Sequence, residues 1–233
     1  MANRVLGIIP ARANSIRIAD KNMRLLSGQP LIEYTLSQAL KAKSLDGLLV
    51  TTDSEKILDY TSKYENIFLH QRPEFLATSD TQMYDVVQDV INNAKTGFEP
   101  TILIVLQPTS PFRTYKHIDE SIEYLSNNSK FHSIASVSEL SHRYFPEKLG
   151  TIDKSTLKSL DGGSYMYNPR TSFPKSLYYR NGAIYGVRKR EFISKNTLLP
   201  NPVLGYVMEN AASLDIDLES DFNYAEFKLL GDD

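Results

Sequence analysis

Three cationic side chains lie in the polar loop at residues 10–22, which follows a short apolar run. They are Arg12, Arg17 and Lys21, and small polar residues surround them. Backbone N–H groups together with Arg or Lys side chains bind and neutralise phosphate oxygens. The loop therefore indicates a triphosphate site, although a solvated loop with scattered charge would have the same composition. The sequence contains neither a Walker A motif nor G-x-G-x-x-G, the signatures of P-loop NTPases and dinucleotide-binding dehydrogenases.

A second group of residues that could do chemistry is acidic. Asp215 and Asp217 flank Ile216, so an extended backbone would place both carboxylates on one face. Two carboxylates with few other protein ligands suit Mg²⁺ that also carries substrate phosphate oxygens. The alternative is an acidic cluster at a helix N-terminus, because Glu219 and Asp221 follow and would favour the helix dipole. Both interpretations can hold together, with the first pair at the metal.

Composition excludes several other kinds of chemistry. The 233 residues include no cysteine, so there is no disulfide, thiolate zinc site or cysteine nucleophile. The four histidines do not pair at a metal-ligand spacing, and there is no G-x-S-x-G motif. A net charge of -2 argues against a broad nucleic-acid surface. No apolar stretch is long enough to cross a membrane, and the N-terminus lacks a signal-peptide pattern, so we expect a cytoplasmic protein.

Alternating strand and helix patterns must position these residues. Buried-strand patterns occur at 5–9, 47–52, 66–70, 101–106, 133–137 and 183–185. Helical patterns run from about 30 to 40, 55 to 64, 81 to 94, 117 to 125 and 220 to 230. The alternation predicts an α/β fold with a mostly parallel sheet covered by helices on both faces. Ligands bind at the carboxyl ends of such strands, which singles out the loop after Pro10, Asp53, the loop after Leu106 and the residues after Val137.

The segment 140–180 interrupts this alternation. It is rich in Tyr, Pro, Ser and Lys and is too long for a plain connection. We therefore predict one domain over 1–233, with 140–180 as an insertion that is functional or forms an oligomer contact.

Five pieces of the chain, in order between residues 8 and 226, resemble the acylneuraminate cytidylyltransferases, the CMP-sialic acid synthetases. The pieces are Ile8-Ile9-Pro10-Ala11-Arg12 with Lys21-Asn22 and Pro30-Leu31; Thr51-Thr52-Asp53; Arg72-Pro73 with Leu76-Ala77 and Asp80-Thr81; Leu106-Gln107-Pro108-Thr109-Ser110-Pro111-Phe112-Arg113; and Asn181-Gly182-Ala183-Ile184-Tyr185 with Asp215-Ile216-Asp217 and Asp221-Phe222. Each piece alone is weak, but the ordered set is specific.

The resemblance implies a Rossmann-like nucleotidyltransferase fold and transfer of CMP from CTP to the anomeric 2-hydroxyl of a nine-carbon 2-keto sugar acid. Pyrophosphate would be released, Mg²⁺ would be required, and the enzyme would be a homodimer. Across the dimer, 140–180 would complete the partner's sugar site. The acid would be of the sialic, legionaminic or pseudaminic type.

The resemblance also implies roles for individual residues. Arg12, Ser15 and Lys21 would hold the triphosphate, and Ala11, Asn22, Arg72 and Asp80 would lie at or near the cytidine. Gln107, Lys148 and Tyr185 would face the sugar, and Arg170 would reach across the dimer. Asp215 and Asp217 would hold the metal, and Arg12, Lys21 and Asp217 would be catalytic.

The chain departs from the family pattern in the first loop and near the sugar site. Ile16 stands where the family has a phosphate-contacting lysine, and Arg17 is expected to take over its contact. The Ser15-x-Arg17 spacing resembles the related KDO cytidylyltransferases, although the block at 107–111 favours the acylneuraminate branch. Thr171 and Leu198-Leu199 replace family residues near the sugar's acyl groups, which indicates a modified acid. The alternatives are a KDO-type enzyme and a non-catalytic nucleotide- or sugar-binding relative.

Overall fold

A seven-stranded sheet forms the centre of the protein in a computed structural model that describes residues 3–13, 15–160 and 176–231. Its strands are β1 (Val5–Pro10), β2 (Gly47–Thr52), β3 (Ile67–Gln71), β4 (Ile102–Leu106), β5 (Ser133–Glu139), β6 (Tyr178–Arg188) and β7 (Val203–Val207). Their spatial order is β7-β5-β6-β4-β1-β2-β3. All neighbouring pairs are parallel except those of β6, which is antiparallel to both β4 and β5. The predicted mostly parallel α/β fold is confirmed.

Helices cover both faces of the sheet, as the near-continuous apolar strands require. The helices are α1 (Leu31–Lys41), α2 (Glu55–Thr61), α3 (Met83–Asn93), α4 (Tyr115–Asn127), α5 (Lys189–Lys195) and α6 (Glu219–Leu230). Helices α1, α2 and α4 pack on one side through Leu36, Ile57 and Ile122, while α3 and α5 pack on the other through Val87 and Phe192. Among the described residues, no helix has the length and apolarity that a membrane span needs.

A third, smaller core ties the loop after β1 to the C-terminal part of the chain. Ile18 and Ile216 are both almost fully buried there, together with Leu26, Leu31 and Phe222. The loop at 10–22 is therefore anchored by an apolar residue in its middle, and the segment before α6 is anchored beside it.

Two elements of the sheet region were not predicted. Helix α5 and strand β7 lie between 189 and 207, where the apolar pattern is short and two prolines directly precede the strand. Strand β6 is longer than expected, because residues 178–180, within the predicted insertion, pair with β5 before a change of register at Arg180/Tyr185. Elsewhere in the insertion, Gly150–Asp153 and Thr156–Ser159 form a hairpin. Residues 161–175 lie outside the described part.

Candidate active site

A cavity of about 280 Å³ opens at the carboxyl ends of the central strands. Its size lies near the lower end of the range for small-molecule sites. The loop after β1, the segment between β3 and α3, the turn after β4 and Asp217 all contribute to its wall. Seven of the residues predicted from the sequence line it: Arg12, Ser15, Lys21, Asn22, Arg72, Gln107 and Asp217. The loops after β1 and β4, which the strand-end argument singled out, both contribute to this wall, whereas Arg72 and Asp217 come from segments that the argument did not single out.

Hydrogen bonds hold the loop after β1 against the sheet edge. The Ala13 backbone N–H donates to Asp53 Oδ1 at 2.8 Å, and Asn22 Nδ2 donates to the Arg12 carbonyl at 3.0 Å. Arg12 Nη1 donates to the Thr78 carbonyl at 3.1 Å, which connects the loop to the opposite wall of the cavity. These contacts give the cationic loop a defined path before any ligand arrives.

Asp217 is held by two cations of the same loop. Arg17 Nη1 lies 3.2 Å from Asp217 Oδ2, and Lys21 Nζ lies 3.3 Å from Asp217 Oδ1. Lys21 Nζ also donates to the Ile216 carbonyl at 2.7 Å. The predicted metal ligand and the predicted phosphate-binding cations are therefore neighbours, so a triphosphate and its counter-ion could be bound together here.

Asp215 differs from Asp217 in being largely buried. Its Oδ1 atom is inaccessible to solvent and has no hydrogen-bond partner among the described residues. Burial raises the pKa of Asp215, and the nearby Asp217 carboxylate adds to this effect, while Thr109 and Lys21 oppose it. An orphaned buried carboxylate oxygen beside a second carboxylate fits a divalent cation. The described residues form no cluster of three or more His, Cys, Asp or Glu side chains, so most other ligands would be phosphate or water oxygens.

The backbone close to Asp215 requires a glycine. Gly182 has φ of 80°, and a Cβ there would lie 3.3 Å from Asp215 Oδ2 and 3.7 Å from Gln107 Oε1. Both the left-handed conformation and the close approach disfavour a side chain at this position. Gly182 thus lets the β6 backbone pass beside the acidic pair and Gln107.

A buried polar network fixes this part of β6. Asn181 Nδ2 donates to Ser213 Oγ at 2.9 Å and to Ser138 Oγ at 3.1 Å, and Ser136 Oγ donates to Asn181 Oδ1 at 2.5 Å. Ser213 comes two residues before Asp215. The network therefore links β5, β6 and the acidic segment, and it keeps Asp215 at a constant distance from the sheet.

Arg113 supports the site structurally, although the sequence analysis gave this residue no role there. The side chain is 1% exposed, and burial lowers its pKa to about 9. Its guanidinium donates to the carbonyls of Gln107 (3.0 Å) and Ala183 (2.7 Å) and to Thr35 Oγ1 (2.6 Å). Arg113 thus holds the turn that carries Gln107. Its place in the block at 106–113 was the only signal in the sequence.

Arg72 is also buried, although it lines the cavity. It is 5% exposed, and its Nη2 donates to the Thr51 carbonyl at 2.8 Å. Burial lowers the pKa of Arg72 to about 10, so the side chain stays charged at neutral pH. Because Arg72 lines the cavity, its guanidinium can contact an anionic or polar ligand there.

Other predicted site residues lie beside the cavity or away from its wall. The Ala11 side chain is in the core, so only its backbone can face a ligand. Asp80 is exposed and accepts a hydrogen bond from Ser79, which itself lines the cavity. Tyr185 is half-buried on β6. Burial raises the pKa of its hydroxyl, the Arg180 charge opposes this effect and the Asp215 charge adds to it. Lys148 is exposed in the turn Pro146–Lys148.

Two residues of the sugar-site interpretation, Arg170 and Thr171, lie outside the described residues. Arg17 does not line the cavity wall and instead contacts it through Asp217.

Two solved structures that are similar to this chain over nearly its whole length are a synthetase and a synthase. CMP:2-keto-3-deoxy-manno-octonic acid synthetase, complexed with CTP, matches with a TM-score of 0.71 at 15% identity, over 99% of this chain and 100% of that chain. A 4-diphosphocytidyl-2C-methyl-D-erythritol synthase from Anaerococcus prevotii matches with a TM-score of 0.65 at 14% identity, over 98% and 99%. At these identities the likeness supports the fold alone.

Sequence relatives are more informative. The chain is 33% identical to the N-acylneuraminate cytidylyltransferase of Escherichia coli over 97% of its own length and 52% of that protein, so it spans about half of that relative. It is 30% identical to the CMP-N,N'-diacetyllegionaminic acid synthase of Legionella pneumophila over 95% of this chain and 94% of that one. A family model described as Cytidylyltransferase matches residues 6–221. The chain therefore belongs to the cytidylyltransferase family.

Proposed function

We propose that the protein transfers CMP from CTP to the anomeric 2-hydroxyl of a nine-carbon 2-keto sugar acid and releases pyrophosphate. The observation that carries the proposal is one cavity whose wall combines the cations Arg12 and Lys21 with Gln107 and the acidic residue Asp217. A triphosphate, a divalent cation and a sugar hydroxyl must all meet in such a reaction. Relatives named for N-acylneuraminate and for N,N'-diacetyllegionaminic acid support the nine-carbon class of acid.

The nucleotide would lie along the loop after β1. Arg12, Ser15 and Lys21 would contact the triphosphate, and Arg72 and Asn22 would lie at the cytidine. As the sugar hydroxyl attacks the α-phosphorus in line, negative charge builds on the departing pyrophosphate. Once the triphosphate is bound, the cations at the cavity wall would stabilise that charge without further reorganisation during the chemical step, and such electrostatic stabilisation is the main source of acceleration in phosphoryl transfer.

Asp215 and Asp217 would hold a divalent cation, for which we propose Mg²⁺. Bound Mg²⁺ would neutralise phosphate oxygens and lower the pKa of the attacking hydroxyl. Asp217 is paired with Arg17 and Lys21. Both cations would exchange this carboxylate for phosphate oxygens when the triphosphate binds, which frees Asp217 for the metal.

The sugar acid would lie beyond Gln107, toward Tyr185 and the segment 140–180. We propose that this segment, with Lys148 and Arg170, completes the site of a second copy in a homodimer. The solution mass tests this: a monomer at all working concentrations would exclude it. A chain without cysteines that consumes CTP fits the reducing cytoplasm.

A substrate panel tests the proposed reaction. The purified chain is incubated with CTP, Mg²⁺ and one of four acids: N-acetylneuraminic, legionaminic, pseudaminic or KDO. Pyrophosphate release with a nine-carbon acid supports the proposal and identifies the acid. Release with KDO alone supports the KDO-type alternative. Binding of CTP without release from any acid supports the non-catalytic alternative.

A further inference from the structure

A buried chain of polar groups leads from Arg72 at the cavity wall into the sheet, and the proposed function gives no role to its members beyond Arg72. Thr51 on β2 contacts both Arg72 and His70, and His70 on β3 lies next to Asp89 on α3. Thr51 Oγ1 is 3.0 Å from His70 Nδ1, and His70 Nε2 is 3.4 Å from Asp89 Oδ2. Arg72 Nε donates to Thr51 Oγ1 at 3.5 Å, and Arg72 Nη2 donates to the Thr51 carbonyl at 2.8 Å. We name Arg72, Thr51, His70 and Asp89 the β2–β3 relay.

The donors of the relay can be assigned by elimination. A carboxylate oxygen only accepts, so His70 Nε2 carries the hydrogen that faces Asp89. A neutral imidazole then has an acceptor at Nδ1, and the Thr51 hydroxyl must donate to it. The Thr51 oxygen is left to accept from Arg72. Every donor in the relay therefore points from Arg72 toward Asp89.

Because the groups of the relay are buried, the direction of their hydrogen bonds affects how firmly Arg72 is held. Thr51 is fully buried, and His70 and Arg72 are 8% and 5% exposed, so water cannot replace a missing partner. Asp89 Oδ2 is a buried oxygen with no hydrogen-bond partner of good geometry among the described residues, and His70 Nε2 lies 3.4 Å from it, while Asp89 Oδ1 accepts a hydrogen bond from Asn93. Burial lowers the pKa of Arg72, and the charges of Asp53 and, to a smaller extent, Asp89 oppose this effect and favour the charged guanidinium.

One nitrogen of Arg72 remains for a ligand. Nε and Nη2 are engaged by Thr51, whereas Nη1 has no hydrogen-bond acceptor within the part of the chain that the structure describes. Because Arg72 lines the cavity, a guanidinium fixed by two of its nitrogens can present the third in a constant direction. Fixing a side chain before binding reduces the entropy that binding costs.

We propose that His70, acting through Thr51, is a positioning residue that orients Arg72 for the cytidine part of CTP. The proposal rests on the proposed function, because Arg72 needs a nucleotide to hold. According to the proposal, the relay increases the affinity for the nucleotide and does not take part in the chemical step. Loss of the relay should therefore raise the CTP dissociation constant and the KM for CTP while leaving kcat close to its original value.

Calorimetric titration with CTP, without any sugar acid, is the direct test. Thr51→Val keeps the shape of the side chain and removes the hydroxyl, and we expect CTP binding to weaken by roughly tenfold, as the loss of a buried hydrogen bond predicts. Thr51→Ser restores the hydroxyl and should restore most of the affinity. The matched control is Thr61→Val, because Thr61 is an equally buried threonine whose hydroxyl donates to the Ile57 carbonyl in α2, away from the cavity.

A second measurement uses the wild-type chain, so its outcome does not depend on whether a variant folds. Long-range ¹H–¹⁵N spectra should show His70 as the neutral tautomer with hydrogen on Nε2 and an unprotonated Nδ1. The opposite tautomer, or Thr51→Val with wild-type CTP affinity, would overturn the relay while the proposed function stands. A wild-type chain that does not bind CTP would reject the proposed function and the relay with it.

Discussion

Arg17 Nη1 lies 3.2 Å from Asp217 Oδ2, and this contact joins two parts of the chain that are 200 residues apart. The residues beside them in sequence, Ile18 and Ile216, are buried in the same small core. The apolar pair therefore fixes the backbones, and the ion pair follows at the surface. Ile16, where the resemblance implies a phosphate-contacting lysine, is 79% exposed. Arg17 follows it directly in sequence, and we propose that Arg17 substitutes for that lysine.

Arg17→Ala should impair the use of CTP without unfolding the protein. A charge-assisted hydrogen bond to phosphate contributes about 1.5–3 kcal/mol, so kcat/KM for CTP should fall by roughly ten- to a hundredfold. The Arg17–Asp217 pair is exposed, so the free energy of unfolding should change by less than about 1 kcal/mol. Steady-state kinetics and urea denaturation measure the two effects.

Arg24→Ala is the matched control for this variant. Arg24 Nη1 contacts Glu219 at 2.6 Å and so connects the same two parts of the chain, but it does not line the cavity. Its removal should leave kcat/KM for CTP unchanged. Equal losses of kcat/KM in both variants would show that the two ion pairs matter only for structure. An Arg17→Ala variant with unchanged kcat/KM would show that Arg17 does not replace the lysine expected at position 16.

Asp217→Ala should abolish most turnover and keep most CTP binding. The variant loses one of two carboxylates proposed for the divalent cation, and metal stabilisation of charge amounts to several kcal/mol, so turnover should fall by roughly a hundredfold or more. Lys21 and Arg17 stay available to the triphosphate. Turnover and calorimetric CTP binding are measured in parallel, with Glu219→Ala as the exposed acidic control. Wild-type turnover in Asp217→Ala would remove Asp217 from the metal site.

Arg113→Lys should destabilise the protein although the charge is retained. The guanidinium reaches two carbonyls and one hydroxyl at once, which a single ammonium group cannot do. Leaving buried acceptors unpaired costs about 1–3 kcal/mol in the free energy of unfolding. Urea denaturation measures the loss against Arg190→Lys, a change at an exposed position of α5. Equal stability of the two variants would contradict the role given to Arg113.

His70 should make the stability of the fold depend on pH. Burial lowers the pKa of His70 below its usual 6.5, with Arg72 acting in the same direction and Asp89 opposing it. Below about pH 6.5 the unfolded chain binds a proton at this histidine that the folded chain resists, so folding is disfavoured as the pH falls. The stability difference between the wild type and His70→Gln should therefore shrink on acidification. A constant difference from about pH 7.5 to 5.5 would contradict this.

The strand ends could be predicted from the sequence because they depend on local pattern. The run Ile102–Leu106 is apolar on both faces and ends at a proline-containing turn, so both the strand and its ligand-facing end were predictable. The helical pattern predicted from residue 55 is confirmed by α2, and the Ser54 side chain directly before it accepts the Ile57 N–H. The strand before the cationic loop and the strand before Asp217 are not neighbours in the sheet, so the meeting of these residues at the cavity depends on the small core that Ile18 and Ile216 share.

Features that depend on long-range packing could not be predicted in this way. Nothing near Arg113 in the sequence indicates that its charge is buried beneath the Gln107 turn. The relay from Arg72 to Asp89 needs the register of β2 against β3, which places Thr51 beside His70. Strand β7 was missed because a short edge strand with a glycine gives little periodic signal.

The most direct test of the central claim is the identity of the product. The chain is incubated with CTP, Mg²⁺ and N-acetylneuraminic or N,N'-diacetyllegionaminic acid, and the mixture is analysed by mass spectrometry, with Asp217→Ala in parallel. The account predicts a CMP-linked acid and an equal amount of pyrophosphate with at least one of the two acids, and almost none with the variant. Unchanged CTP, or CMP formed without a sugar adduct, would contradict it.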